Sequence, residues 1–303
     1  MSVDRLIDAI GEKKNPTVLG LDPQPEHIPP EIMKKYIAER GRTLSALCGA
    51  YETYITGLIE ALSGIVPAVK LQSAFFETLG PEGMGVFQRG IQTARAHNLY
   101  VIADAKRGDI GSTSSAYSAA FLGRLELGGT QFPVFDADAL TVNPYLGSDN
   151  LEPFLMDCER YQKMVFVLCK TSNPSASEVQ EQTVGGRPLY HIVAEQVSAA
   201  GKRLTGRYGY SSAGIVAGAT QPNSIRTLRE RHPELFFLVP GYGAQGGTAA
   251  GLAAAFDKDG RGAIVNNSRG IGCAWQRSGK RYTDAAREAA LTMREDLRKA
   301  INP

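Results

Sequence analysis

Cysteine, tryptophan and histidine are scarce in this sequence, with four, one and four respectively among 303 residues. Cys48, Cys158, Cys169 and Cys273 form no C-x-x-C pair and are too few to staple a chain of this length. A disulfide framework is thereby excluded, and a reducing, cytoplasmic setting is expected. His27, His97, His191 and His232 show no i,i+4 pair and no cysteine partner at zinc spacing, so no metal is expected. Charge of one sign is also lacking: 33 basic against 31 acidic residues leave +2, which does not make the electrostatic footprint of a nucleic-acid binder. An anionic ligand would have to be met locally. No apolar run approaches the length of a membrane span, so no membrane partner is expected. The first sixteen residues interrupt their apolar positions with Asp4, Arg5, Asp8, Glu12, Lys13 and Lys14, which reads as a short helix instead of a signal peptide. No G-x-S-x-G elbow supports a hydrolase.

What is present is an ordinary globular composition, 43% hydrophobic and 21% charged. Short β-rich apolar runs recur at 17–21, 65–71, 99–103, 139–142, 164–169, 213–217, 235–239 and 263–265. Helix-like stretches separate them, clearest where Leu44, Leu47, Cys48, Tyr51, Ile55, Leu58, Ile59 and Leu62 keep three-and-four spacing. Eight βα units in one series predict a single-domain (β/α)8 TIM barrel over residues 1–303, with an open doubly wound sheet as the alternative. No Pro/Gly/Ser-rich linker divides the chain. The longest irregular piece, 171–188, reads as a lid or an insertion.

In such barrels the chemistry sits just past the C-terminal ends of the strands. Asp22, Lys70, Asp104, Asn143, residues 170–172 with Ser172, the glycine-rich 241–247 stretch and residues 266–269 with Asn266 and Arg269 all fall there. The run after the third strand, Asp104-Ala105-Lys106-Arg107-Gly108-Asp109, packs two acids and two bases into six positions. Alternation along a strand puts Asp104 and Lys106 on one side, with Ala105 facing away. Flanking carboxylates would keep Lys106 protonated, able to act as a general acid toward a carbanion, while repelling an anionic group laid against them. The competing reading is a solvated salt-bridge patch.

The run Asp104-Ala105-Lys106-Arg107-Gly108-Asp109-Ile110-Gly111-Ser112-Thr113 resembles the D-x-K-x-x-D-I-x-x-T signature of the orotidine 5′-phosphate decarboxylase family, and closely its longer bacterial subfamily. Gly20-Leu21-Asp22, Val69-Lys70, Thr171-Ser172-Asn173-Pro174, Pro240 to Gly247 and Asn267-Ser268-Arg269-Gly270-Ile271 match in order, so the resemblance spans nearly the whole chain. It implies a Lys-Asp-Lys-Asp array of Lys70, Asp104, Lys106 and Asp109, with Lys106 protonating C6 of the pyrimidine and Asp104 set against the departing carboxylate. It implies Asp22 and Lys70 at the ribose, Ser172 at the base, Pro240 against the ring, and no cofactor or metal. It further implies a homodimer in which Asp109 and Thr113 reach the neighbouring site.

A carbanion with no electron sink demands electrostatics and positioning, and a remote phosphate can supply binding energy for both. Gly241-Tyr242-Gly243-Ala244-Gln245-Gly246 fits G-x-G-x-x-G, but it follows the seventh strand instead of opening a first βαβ unit, so a dinucleotide site is rejected. Loops after strands seven and eight of these barrels frequently hold phosphate, so the Gly241 loop backbone, Gln245 and Arg269 are assigned to it. Asn143 reads equally as a turn-forming Asn-Pro, and Asn267 stands where the family pattern suggests a small serine. Phe75, Phe76, Tyr117 and Phe121 are read as core. The expected activity is conversion of orotidine 5′-phosphate to UMP and CO2. A magnesium-dependent barrel acting on a sugar phosphate and a catalytically silent phosphate binder are the alternatives.

Overall fold

The computed structural model describes residues 1–243 and 246–301. Eight strands, β1 (Thr17–Leu21), β2 (Ala68–Gln72), β3 (Tyr100–Arg107), β4 (Ala139–Val142), β5 (Met164–Lys170), β6 (Ser211–Ala217), β7 (Leu235–Val239) and β8 (Ala263–Asn267), pair in parallel with their sequence neighbours. β1 also pairs with β8, Val18 opposite Asn266, and the sheet closes into a barrel. This is the (β/α)8 TIM barrel expected from the alternating pattern, and the doubly wound alternative falls because it would leave two open edges.

Strand alternation sorts the apolar residues into two cores. Val18, Ala68, Ile102, Phe166, Phe236 and Ile264 fill the barrel interior. Leu19, Val69, Val101, Leu140 and Val165 face out and pack under the helices. Among those helices α1 is Ser2–Lys13, α2 Pro30–Arg40 and α3 Leu44–Leu62. Helix α3 starts where the Thr43 hydroxyl accepts the Ala46 N–H at 3.1 Å, and it buries Ile55, Leu58, Ile59 and Leu62 against the sheet. Burial of each such side chain contributes about 1.5–3 kcal/mol.

Several strands outrun their apolar runs. β3 continues to Arg107 and β8 to Asn267, so polar residues enter the barrel at its upper rim. The 171–188 stretch is ordered: a short helix, Ser177–Gln180, precedes a hairpin of Thr183–Val184 with Arg187–Pro188, turned at Gly185 and Gly186 with φ of 57° and 78°. A second hairpin, Leu125–Leu127 with Thr130–Phe132, has no counterpart in the sequence reading, because its strands are too short to leave a periodic signal.

The opposite, N-terminal end of the barrel is plugged by α1. Val3, Leu6 and Ile7 join the interior core, the Val3 N–H donates to Ser212 Oγ at 3.2 Å, and Arg5 pairs with Asp138 at 2.9 Å. Leu6 has no solvent exposure. Truncating Leu6→Ala should therefore cost about 2–5 kcal/mol of stability, seen as a lower urea midpoint with an unchanged slope. A midpoint equal to that of the unaltered protein would show that the plug does not brace the barrel.

Candidate active site

At the upper rim, interior positions of successive strands change from apolar to polar, and they converge on one carboxylate. Asp104 Oδ2 accepts from Lys70 Nζ at 2.7 Å and Gln72 Nε2 at 3.1 Å, while Oδ1 accepts from Lys106 Nζ at 2.6 Å and Thr141 Oγ1 at 2.9 Å. A carboxylate has about four lone-pair sites, and all of them are engaged. Lys70 also faces Asp22 Oδ1 at 3.6 Å, so the chain of charges runs Asp22, Lys70, Asp104, Lys106. The Lys70 side chain is 5% exposed and that of Lys106 46%. Burial by itself would depress the Lys70 ammonium, but the Asp104 and Asp22 carboxylates override it and hold the group above the usual lysine range. Burial likewise pushes Asp104 up, and the two ammonium groups outweigh it, so the carboxyl sits well below the usual range.

The local backbone shows how Lys106 gets there. β3 loses register with β4 between Ala103 and Arg107, and Lys106 adopts φ of 50°, a conformation that non-glycine residues rarely take. Its N–H donates to Thr141 Oγ1 at 3.0 Å, and the same hydroxyl donates to Asp104. Strand alternation thus places Asp104, but a bulge pinned by Thr141 aims Lys106. The strained backbone lies at the most exposed charge of the array, as functional strain commonly does.

The array lines a cavity of about 480 Å³ with Asp22, Phe75, Ser172, Asn173, Gln180, Pro240, Asn266 and the apolar Leu168, Val216 and Leu238. Gln72, Thr141 and Gln180 escaped the sequence reading, whereas Asn266 is one of the polar residues expected at the strand ends. All but Gln180 occupy interior-facing positions near strand ends, a signal that alternation carried to the strand ends could have revealed. Phe75, expected in the core, lines this cavity, because the chain leaves β2 into a short helix, Ala74–Glu77, whose next residue, Phe76, takes the buried place. Phe121 packs in the core and half-buried Tyr117 packs against it, both under the Arg107 guanidinium.

Other expected residues stand apart. Asp109 and Thr113 do not line this cavity; Asp109 makes no ion pair among the described residues, and its Oδ1 accepts the Ile110 N–H at 2.7 Å. Asn143 forms a turn, its Oδ1 accepting the Tyr145 N–H at 3.0 Å. Arg269 is exposed and has no side-chain partner among the described residues. It lines a neighbouring groove of about 570 Å³ with Tyr242 and Gly243, and a small space beside Asp22 and Ser268 that lies between groove and cavity. Gln245 lies outside the described residues. Gly241 turns at φ of 101°, and the loop closes on itself: Gly243 N–H bonds Gly247 O, Gly246 N–H bonds Gly243 O, and Gly247 N–H bonds Gly241 O. Three amides expected to face a phosphate are therefore engaged within the loop. Asn267 points outward, accepting the Gly270 N–H at 2.9 Å and donating to Met293 Sδ at 3.5 Å, so its extra bulk is absorbed behind the rim.

Among the described residues no three His, Cys, Asp or Glu side chains are gathered to hold a metal ion, and no helix is long and apolar enough to cross a membrane.

A closed parallel barrel whose strand ends present an ammonium–carboxylate–ammonium array defines a (β/α)8 barrel protein with a charged site at its mouth. The sequence model of the orotidine 5′-phosphate decarboxylase / HUMPS family matches residues 19–275. A Rhodopirellula baltica protein named orotidine 5′-phosphate decarboxylase is 42% identical over 93% of this chain and 94% of its own, and a namesake from Caldicellulosiruptor bescii is 41% identical over 88% of each. The solved structure of Leishmania donovani OMP decarboxylase covers 100% of this chain and 99% of its own with TM-score 0.73 at 33% identity. The chain belongs to the orotidine 5′-phosphate decarboxylase / HUMPS family.

The charge array fixes a pH response. An aspartate held below its free value stabilises the fold above about pH 3.9 and gives that up as pH falls toward its folded pKa. A lysine held above its free value stabilises below about pH 10.4 and gives that up as pH rises. Asp104→Asn should remove the acid-side loss and, by stranding buried Lys70, cost about 3–5 kcal/mol near neutrality in urea denaturation. Equal stability of the two proteins at pH 7 would contradict the coupling.

Proposed function

We propose that this protein converts orotidine 5′-phosphate to UMP and CO2, with Lys106 as the proton donor to C6. The single observation that supports it most is the Asp104 carboxylate, clamped between Lys70 and Lys106 at the mouth of the barrel. A substrate carboxylate laid beside Asp104 is repelled in the ground state. When the bond from C6 to that carboxylate breaks, CO2 leaves and the electron pair stays on C6. The nearby ammonium groups stabilise it, and Lys106 Nζ delivers a proton, to be regained afterwards from water. No step in this sequence calls on a cofactor. The apolar lining of Leu168, Val216, Leu238 and Pro240, with the polar Ser172 beside it, suits a pyrimidine better than an open-chain sugar phosphate. On this reading Ser172 addresses the base, Pro240 packs on the ring, Asp22 and Lys70 take the ribose hydroxyls, and Arg269 takes the phosphate.

The active unit on this reading is a homodimer. Asp109 and Thr113 lie outside their own chain's cavity, next to exposed Ile110 and near exposed Tyr145 and Leu146, a surface suited to a second copy. Four buried unpaired thiols fit a cytoplasmic setting.

Chelator-treated protein should consume orotidine 5′-phosphate, and Lys106→Ala should lose about 10²-fold or more in kcat while still binding UMP. Unchanged turnover would remove Lys106 as the acid. Arg269→Ala should weaken phosphorylated ligands far more than the nucleoside; an equal effect on both would dissociate Arg269 from the phosphate. Mixing inactive Lys106→Ala and Asp109→Ala proteins should regain about a quarter of full activity by forming heterodimers with one intact site. Mixtures that stay inactive despite subunit exchange would refute a shared site.

A further inference from the structure

Lys170 is the last residue of β5, and its side chain is 1% exposed. Neither the charge array nor the cavity uses it. Its Nζ meets Glu181 Oε1 at 2.8 Å and lies 5.8 Å from the centre of the Tyr190 ring. An ammonium so deeply placed is costly without a counter-charge, so the 171–188 segment that carries Glu181 is drawn down onto the barrel rim. One residue earlier, Gln180 grips the start of the same segment twice: its Oε1 accepts the Thr171 N–H at 2.9 Å and its Nε2 donates to Thr171 Oγ1 at 2.7 Å. The Thr171 hydroxyl in turn donates a hydrogen bond to Asn173 Oδ1 at 2.6 Å.

Ser172, on the cavity wall, follows directly on the two tied residues Lys170 and Thr171. From the other side, β6 ends against it so closely that a Cβ on Gly218 would stand 2.7 Å from the Ser172 nitrogen. We infer that the Lys170–Glu181 ion pair and the Gln180–Thr171 pair form a clasp that presses Ser172 into the cavity, and that Gln180 and Glu181 are positioning residues for the ligand's ring. This rests on the proposed decarboxylase reading for its ligand, but not for its mechanics.

The clasp orders a wall that substrate and transition state meet alike, so its loss should appear in KM more than in kcat. Glu181→Ala and Gln180→Ala should each raise KM for orotidine 5′-phosphate about tenfold, roughly the value of one well-placed hydrogen bond, with kcat changed less than about twofold. Amide hydrogen exchange should quicken in the 171–182 stretch alone. A Lys170→Met/Glu181→Leu double variant, which replaces the ion pair by an apolar contact beside Tyr190, should restore slow exchange and most of the affinity. An unchanged KM in both single variants, or a double variant as impaired as Glu181→Ala, would overturn the clasp. Failure of the unaltered enzyme to turn over orotidine 5′-phosphate would instead overturn the decarboxylase reading, and the exchange rates would still judge the clasp.

Discussion

The Asp104 carboxylate is the constraint around which the upper half of the barrel is arranged. Four donors from β2, β3 and β4 converge on its two oxygens, and each comes from a residue that would have no reason to face inward in a purely apolar barrel. Buried charges are costly, and the cost falls only where every lone pair and proton finds a partner. The Asp104 and Asp22 carboxylates hold the buried Lys70 ammonium charged, and Lys70 and Lys106 together hold Asp104 ionised, against the burial of both groups. The strands are tied to one another at this level by charge, as they are by side-chain packing one layer below, where Ile102 and Phe166 fill the interior.

That division of the barrel into an apolar lower part and a charged upper part explains the distribution of strain and bracing. α1 closes the lower end with Val3, Leu6 and Ile7, a contact whose worth is burial. At the upper end the chain accepts a bulge and a left-handed lysine, conformations that would be eliminated if only stability mattered. Thr141 holds this arrangement because one hydroxyl can accept from the Lys106 backbone and donate to Asp104 at once. The half-exposed Lys106 ammonium is thereby held beside a carboxylate yet open to whatever enters the cavity.

Much of this was legible in the sequence, and the part that was not has physical causes. Runs such as 139–142 and 235–239 coincide with strands because both faces of a parallel strand are buried and hydrophobicity marks it end to end. Where one face turns polar, as at Gln72, the hydrophobic signal stops before the strand does and the residue is lost at the boundary, while Thr141 lies inside its run and reads there as an ordinary β-branched strand residue. Lys106 was placed on the right side for an incomplete reason, since alternation carries no information about a bulge. The glycines after β7 were legible as a tight loop, but not that the loop spends its amides on itself. Gln180 lies in a segment without periodicity, where only tertiary contact with Thr171 gives it a role.

The separation of Arg269 from the cavity bears on how such a site could work. A cavity of about 480 Å³ can hold a ring and a sugar, whereas the Arg269 guanidinium, with no side-chain partner among the described residues, stands along a second groove, and Asp22 borders both the cavity and the small space that Arg269 also lines. On the proposed reading the phosphate is gripped at one end and the ring is seated at the other. Binding energy gained at the phosphate can oppose the repulsion at Asp104 only if the molecule between them cannot slide. A wall fixed at the ring end is therefore as necessary as a grip at the phosphate end. The buried Lys170 ammonium, drawing Glu181 and with it the wall that carries Ser172, puts that rigidity where the array needs it.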